Sequence, residues 1–443
     1  MTGLMDTIRI PDLMRIIKTL SPLMNPFSLL SLAISSSQIN FTPAGYDKLI
    51  AANMVINFIL AIQAAIALGL RFLRRAEGQK VKRWLWRDRF LFENQRLSYC
   101  EPNGYLLIEL LQLAGCSSLA IYYGFVYHIA RNSRISFLSF STSALWYTLC
   151  HLPAFLGCWF TSWSALYFVL LCPQRDQRSN PSSRRDRVWD PIAMNTLCLG
   201  IPVLLVMFFS TLGIIASITS HELVEQYGFL KTNLAELKSR WSPSQSIDEE
   251  TIEKLSRLLE NLKLTVKRLI RIYQVIALSW AIISLLLLCF YSITMTCTRK
   301  IIKHTFEVAA GKTPLVEVEL EHELSFNKKL RVGSLPSMNK TVPQSDQSAP
   351  VFSISLPELL MEKAPNPTFA SQLKRHYYFL NVSSIFMVTS LVCNLSFAVL
   401  LALRMEHGID KKTGNSMFAL STSSSLLSSL CLLLQSVICR IVQ

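Results

Sequence analysis

An all-α integral membrane protein is the fold class this sequence predicts, and three observations carry that reading. The 443-residue chain is 51% hydrophobic and only 16% charged, where soluble domains carry about 25% charged residues. Apolar stretches recur along it, seven in all, each near the roughly 20 residues a helix needs to cross the hydrocarbon. Between the fourth and fifth stretches lies a segment with a heptad rhythm of its own. The expectation is therefore seven transmembrane helices with a helical coiled-coil hairpin extending spans four and five.

Residues 1–49 read as an N-terminal tail that is interfacial and non-cytosolic. Arg9, Arg15 and Lys18 precede an apolar run, Leu20 to Ser36, interrupted by Pro22, Asn25 and Pro26. An amphipathic helix lying on the membrane fits that pattern better than a cleaved signal peptide or an eighth span. Asn40-Phe41-Thr42 is a glycosylation acceptor triplet if the tail is outside.

Residues 50–219 hold spans one to four, at about 50–70, 105–130, 143–171 and 193–217, with spans five to seven at about 274–297, 377–403 and 416–439. Orientation follows from the basic residues in the short loops. The loop after the first span has nine Lys and Arg between Arg71 and Arg96, and the loop after the third has five between Arg175 and Arg187. The alternate loops have two (Arg131, Arg134) and three (Arg404, Lys411, Lys412). The count puts the N-terminus outside or lumenal and the C-terminus in the cytosol, in the plasma membrane or an endomembrane. The first cytosolic loop interleaves its bases with Trp84, Trp86, Phe90 and Phe92, a composition suited to a helix at the headgroup level. Docking of a cytosolic signalling partner is the competing reading of the same loop.

Residues 220–273 form the hairpin. One arm carries Leu223, Tyr227, Leu230, Leu234, Leu237 and Trp241; the other carries Ile252, Leu255, Leu259, Leu262, Val266, Leu269 and Tyr273. Steps of three and four mark a seam on each arm, the pattern of two antiparallel helices with knobs in holes. Ser246 and Glu249 fit a capping box at the start of the second arm. Nine Lys and Arg are balanced by eight Asp and Glu, as expected of solvated flanks around an apolar seam. Self-association through this hairpin is one partner expectation, with Trp241 and Phe229 as anchors.

Span five (274–297) is expected to continue as helix, since neither Gly nor Pro intervenes before Gly311. The loop 298–376 is rich in Ser, Pro, Asn and Gln beyond Ser334 and reads as largely disordered and cytosolic. Residues 377–443 supply spans six and seven and a short C-terminus. The last span is dense in serine, from Ser421 to Ser436, which suits close helix packing or, alternatively, a hydroxyl-lined pore.

The net charge of +15 sits beside apolar spans without a nucleic-acid recognition motif, so membrane lipid is the expected partner and nucleic acid is not. No GxSxG, HExxH, P-loop or dinucleotide glycine fingerprint is present, and His304 and His322 lack metal-ligand spacing, so neither an enzyme nor a metal or cofactor is expected. Eleven cysteines lie in spans or at their ends without a CxxC pair. Cys100, Cys172, Cys297 and Cys439 mark one membrane face of four spans and are candidate palmitoylation sites. Ionisable and polar residues inside spans are the default functional candidates because hydrocarbon makes them costly. These are Glu109, His151 beside Pro153, Asn195 and Asn394, with Gln112 and Gln435 as milder members.

Seven spans with an external N-terminus resemble G-protein-coupled receptors in topology. The residues depart from the rhodopsin-like pattern: Cys172-Pro-Gln-Arg-Asp-Gln-Arg178 stands where Asp-Arg-Tyr would, and span seven lacks Asn-Pro-x-x-Tyr. Insect-type gustatory receptors are similar in carrying helices beyond the membrane, but they have the reverse orientation, and the end of this chain lacks their Thr-Tyr and Gln-Phe signature. The expected function is a receptor-like protein signalling through basic loops; the alternatives are an ion channel or transporter and a structural tether.

Overall fold

In hydrocarbon a long apolar run can satisfy its backbone only internally, so it must be helix. The computed structural model describes residues 25–39, 46–73, 85–90, 97–131, 137–171, 190–242, 249–309, 367–404, 416–417, 419–427 and 430. Among these the helices are α1 (Pro26–Ile39), α2 (Tyr46–Leu73), α3 (Gly104–Arg131), α4 (Phe137–Leu149), α5 (Leu152–Leu171), α6 (Pro191–Arg240), α7 (Glu249–Ala309) and α8 (Pro367–Arg404). A two-stranded ribbon, β1 (Trp86–Arg89) with β2 (Tyr99–Pro102), precedes α3. Among the described residues, six segments are long and apolar enough to cross a membrane: Asp47–Leu70, Leu106–Ile129, Ser141–Leu170, Pro191–Arg240, Glu250–Glu307 and Tyr377–Arg404. They match the first six expected spans. Of the seventh, residues 419–427 are helical, and its remainder beyond 430 lies outside the described residues.

Two prolines shape the bundle in different ways. Pro153 falls in the first turn of α5, where its missing N–H leaves no intrahelical gap. The third span accordingly divides at Cys150-His151 into α4 and α5. Pro202 lies inside α6 and cannot donate to the carbonyl of Cys198 four residues back. That carbonyl instead accepts the indole N–H of Trp159 at 3.0 Å, and α6 runs on through the proline. The helix starts on Asp190, whose carboxylate accepts from the Ile192 N–H at 3.3 Å, with Pro191 next.

At 50 and 61 residues, α6 and α7 span about 75 and 92 Å at 1.5 Å per residue. The hydrocarbon is about 30 Å thick, so both project well beyond it. Their projecting parts pack on each other through Leu223, Leu230, Leu234, Leu255, Leu262, Val266 and Leu269, all buried. Ile252 is also buried, and Tyr227, Leu237, Trp241, Leu259 and Tyr273 are half-buried along the same line. One polar rung interrupts it, with Thr265 donating to Gln226 at 3.0 Å. The continuation of span five as helix holds through Ala309, the last described residue of α7. Ser246 and the turn around it lie outside the described residues.

Within the tail, α1 is capped by Asn25, whose Oδ1 accepts from Phe27 and Ser28 N–H at 3.0 and 3.2 Å. Its Nδ2 donates to the Lys238 carbonyl at 3.2 Å, and Phe27 and Leu30 are buried in the hairpin's apolar line. The α1 helix is thus docked on the packed parts of α6 and α7. Asn40 lies outside the described residues.

Residues 86–89 of the first basic loop, expected as part of an interfacial helix, are instead a strand. A lone ribbon is marginal; this one is held by its neighbours. Trp86 meets Phe160 of α5 edge-on at 5.1 Å, and Tyr99 is buried against Tyr167. Burying two aromatic rings against α5 outweighs the helical period of the bases between them.

Elsewhere hydroxyls join the helices. Ser390 of α8 and Ser424 of the last described helix bond side chain to side chain at 2.8 Å, Tyr123 meets Ser421 at 2.7 Å, and Thr422 donates to Asn53 of α2. Gly213 of α6 lets that helix approach α4, since a Cβ there would lie 2.9 Å from Leu145 and 3.3 Å from Thr148.

Candidate functional site: a polar cavity among α3, α4, α5, α7 and α8

The break in the third span opens onto a cavity. Its wall comes from Ile108 and Gln112 of α3, Tyr147 of α4, His151 at the break, and residues 153–155, 157 and 158 of α5. Ala277, Trp280 and Ser284 of α7 and a stripe from Met387 to Ala398 of α8 complete it. The cavity has a volume of about 60 Å³, room for about two water molecules at roughly 30 Å³ each.

The wall divides into an aromatic part and a polar part. Trp280 stacks on Phe209 of α6 at 4.1 Å and also meets Phe155 at 6.2 Å. The His151 ring lies 6.0 Å from Trp280 and 6.1 Å from Phe397. Asn394 is one helical turn before Phe397, so carboxamide and imidazole address the same region. Among the described residues, the side chains of His151, Ser284 and Asn394 make no hydrogen bond. The indole N–H of Trp280 is buried without an acceptor. Buried polar groups are nearly always paired, and in this wall the Trp280 N–H is the buried one without an acceptor. The neighbouring hydroxyl Ser390 is already committed to Ser424.

Two of the four residues singled out inside spans, His151 and Asn394, therefore come together here, with Gln112 beside them. The other two lie elsewhere. Glu109 is buried on α3 next to Ile108 but outside the lining. Asn195 fastens the ribbon: its Oδ1 accepts from the Cys100 N–H at 2.8 Å and the Tyr167 hydroxyl at 3.2 Å, while its Nδ2 donates to the Ser98 carbonyl at 2.9 Å. Of the candidate palmitoylation sites, Cys100 sits in β2 and is half-buried, and Cys297 is exposed on α7. Burial first, and the charge of Asp88 second, push the Cys100 thiol above its ordinary pKa. Cys172 and Cys439 lie outside the described residues. Among the described residues no group of His, Cys, Asp and Glu could hold a metal ion.

The sequence reading passed over Trp280, Ser284 and Phe397. Ser284 offered one weak signal, a hydroxyl in the run Trp280-Ala-Ile-Ile-Ser-Leu285 that is otherwise apolar. The aromatics offered none, because rings in a membrane span are indistinguishable from lipid-facing ones until neighbours are placed.

No protein-family model, curated protein or solved structure matches this chain.

Proposed function

We propose that the chain is a seven-span, receptor-like membrane protein, with its N-terminus outside and its C-terminus in the cytosol, that takes a ligand into the cavity around His151 and Asn394. One observation carries this reading: a cavity with unpaired polar groups is walled by α7, the helix that also forms one arm of the projecting hairpin. A ligand seated against Ala277, Trp280 and Ser284 bears directly on that helix. Trp280 stacked on Phe209 and the coiled-coil seam beyond tie α6 to α7, so the pair would shift as one body. The basic loops at the other end, whose ribbon is held to α6 by Asn195, would carry the change to a cytosolic partner. The function is proposed to be non-catalytic.

The test uses the full chain in nanodiscs with site-specific spin labels at the exposed positions Lys254 on the hairpin and Asp47 on α2. Ser284→Phe fills the cavity and stands in for a ligand. The expected result is a change of about 1–2 Å or more in the label distance, with hairpin helicity retained. An unchanged distance in the folded variant would remove the coupling on which the reading depends. An epitope at Ser244 reached by antibody in intact cells, with a C-terminal one reached only after permeabilisation, supports the orientation.

The channel alternative needs hydroxyls free to line a path. Ser421 and Ser424 instead bond to Tyr123 and Ser390 on neighbouring helices, which favours the receptor reading. The tether alternative needs an apolar hairpin face left over for a second chain. The seam is occupied by its own two arms and α1.

A further inference from the structure

The lining itself restricts the ligand, on the premise above that the cavity is a ligand site. Among the described residues, no Asp, Glu, Lys or Arg side chain contributes to the wall. An ion placed there would exchange its hydration for hydrocarbon and neutral dipoles, without a counter-charge to offset the loss. A wholly apolar guest fits no better, since it would leave His151, Ser284, Asn394 and the Trp280 N–H unpaired.

The unpaired groups are also mixed in kind. A neutral imidazole offers one donor and one acceptor, a carboxamide offers both, a hydroxyl offers both, and an indole offers a donor only. A guest that meets them must accept hydrogen bonds and gains further by donating one. Aromatic rings from Phe155, Trp280 and Phe397 enclose the rest of the space. The space of about 60 Å³, against about 150 Å³ for a cavity that holds benzene, encloses the head and the first carbons of a guest.

We propose that this cavity binds a small uncharged organic molecule with a compact apolar body and a single hydroxyl or carbonyl head, the head held by His151 and Asn394 and the body lying against Phe155, Trp280 and Phe397. His151 and Asn394 set the requirement for a polar head. Ala154, Gly157, Ala277 and Ala398, small residues of the wall, set the length of the body.

The experiment keeps one body and changes its head. Binding of 1-pentanol, 2-pentanone, pentylammonium and pentanoate to the full chain in nanodiscs is measured by ligand-observed saturation-transfer NMR, with empty nanodiscs subtracted. The alcohol and the ketone are expected to bind saturably and at least about tenfold more tightly than either ion. Asn394→Leu and His151→Leu should each weaken the alcohol about fivefold or more. Asn195→Ala, which lies outside the cavity, should leave it unchanged. Ions binding as tightly as the alcohol would overturn the uncharged-ligand proposal and leave the cavity standing as a ligand site. Saturable alcohol binding that survives both leucine variants and the cavity-filling Ser284→Phe would overturn the assignment of the head to His151 and Asn394. If none of the four probes binds saturably, the proposal falls; the receptor reading then stands or falls on the separate label-distance experiment.

Discussion

The hairpin and the cavity are built from the same two kinds of material, apolar side chains and a few polar ones, with opposite results. In the hairpin, leucines at three- and four-residue spacing fill the space between α6 and α7, and the buried polar rung is closed, Thr265 on Gln226. In the cavity the aromatic residues leave space, and His151, Ser284 and Asn394 remain unpaired among the described residues. Even one helix shows both behaviours. On α8, Ser390 is satisfied by Ser424, while Asn394 one turn later faces the cavity. Polarity inside the bundle serves as adhesive where two helices meet, and is left open where the broken third span borders the cavity.

Placing a charge in each region separates the two most sharply. Leu262 is 1% exposed, packed between the arms. Leu262→Lys should cost about 3–5 kcal/mol, because the ammonium would be buried without a partner. Thermal unfolding followed by circular dichroism reads the loss, and amide exchange places it in residues 223–269. A variant that melts with the parent would show that the seam does not hold the arms together.

A smaller effect is expected at the ribbon, which is polar but closed like the hairpin. Asn195→Ala removes three hydrogen bonds at once and leaves the Cys100 N–H and the Ser98 carbonyl without them, at about 1–3 kcal/mol. Cys100 reports the change without any added probe. Its thiol is held above the ordinary range by burial and by Asp88, so the reactive thiolate is scarce near neutral pH. Loosening the ribbon should lower that pKa and speed alkylation, with the rate rising at lower pH than in the parent. Equal rate profiles would mean that Asn195 is not the clamp.

The smallest effect, and the one of opposite sign, belongs to the cavity. Asn394→Leu replaces an unpaired carboxamide with an apolar group of similar size, a change near zero or slightly stabilising, within about 1 kcal/mol. The same substitution should impair ligand binding. A large loss of stability would show that Asn394 is already paired in the folded protein, and would merge the two regions into one behaviour.

Legibility in the sequence followed the range of the interaction. The first six spans and the long helices α6 and α7 are local matters of run length and of absent Gly and Pro, and they were readable. Leu223, Leu230, Leu234, Leu255, Leu262, Val266 and Leu269, which period alone assigns to one face of each arm, are buried in one cluster. The ribbon at Trp86–Arg89 was not, because its cause is burial of Trp86 on Phe160, more than seventy positions away in the chain. The indole N–H of Trp159 on the carbonyl left free by Pro202 was equally hidden.

At the candidate site the division is the same. Sequence by itself determined that His151 and Asn394 are costly in hydrocarbon and that Pro153 interrupts a span, since hydration cost and a missing N–H belong to single residues. Only the tertiary structure decided that these two face one cavity while Glu109 and Asn195 do not, and that Trp280 and Phe397 wall it. Which polar group finds a partner depends on what the neighbouring helix presents at the same depth, and no window along one chain contains that information.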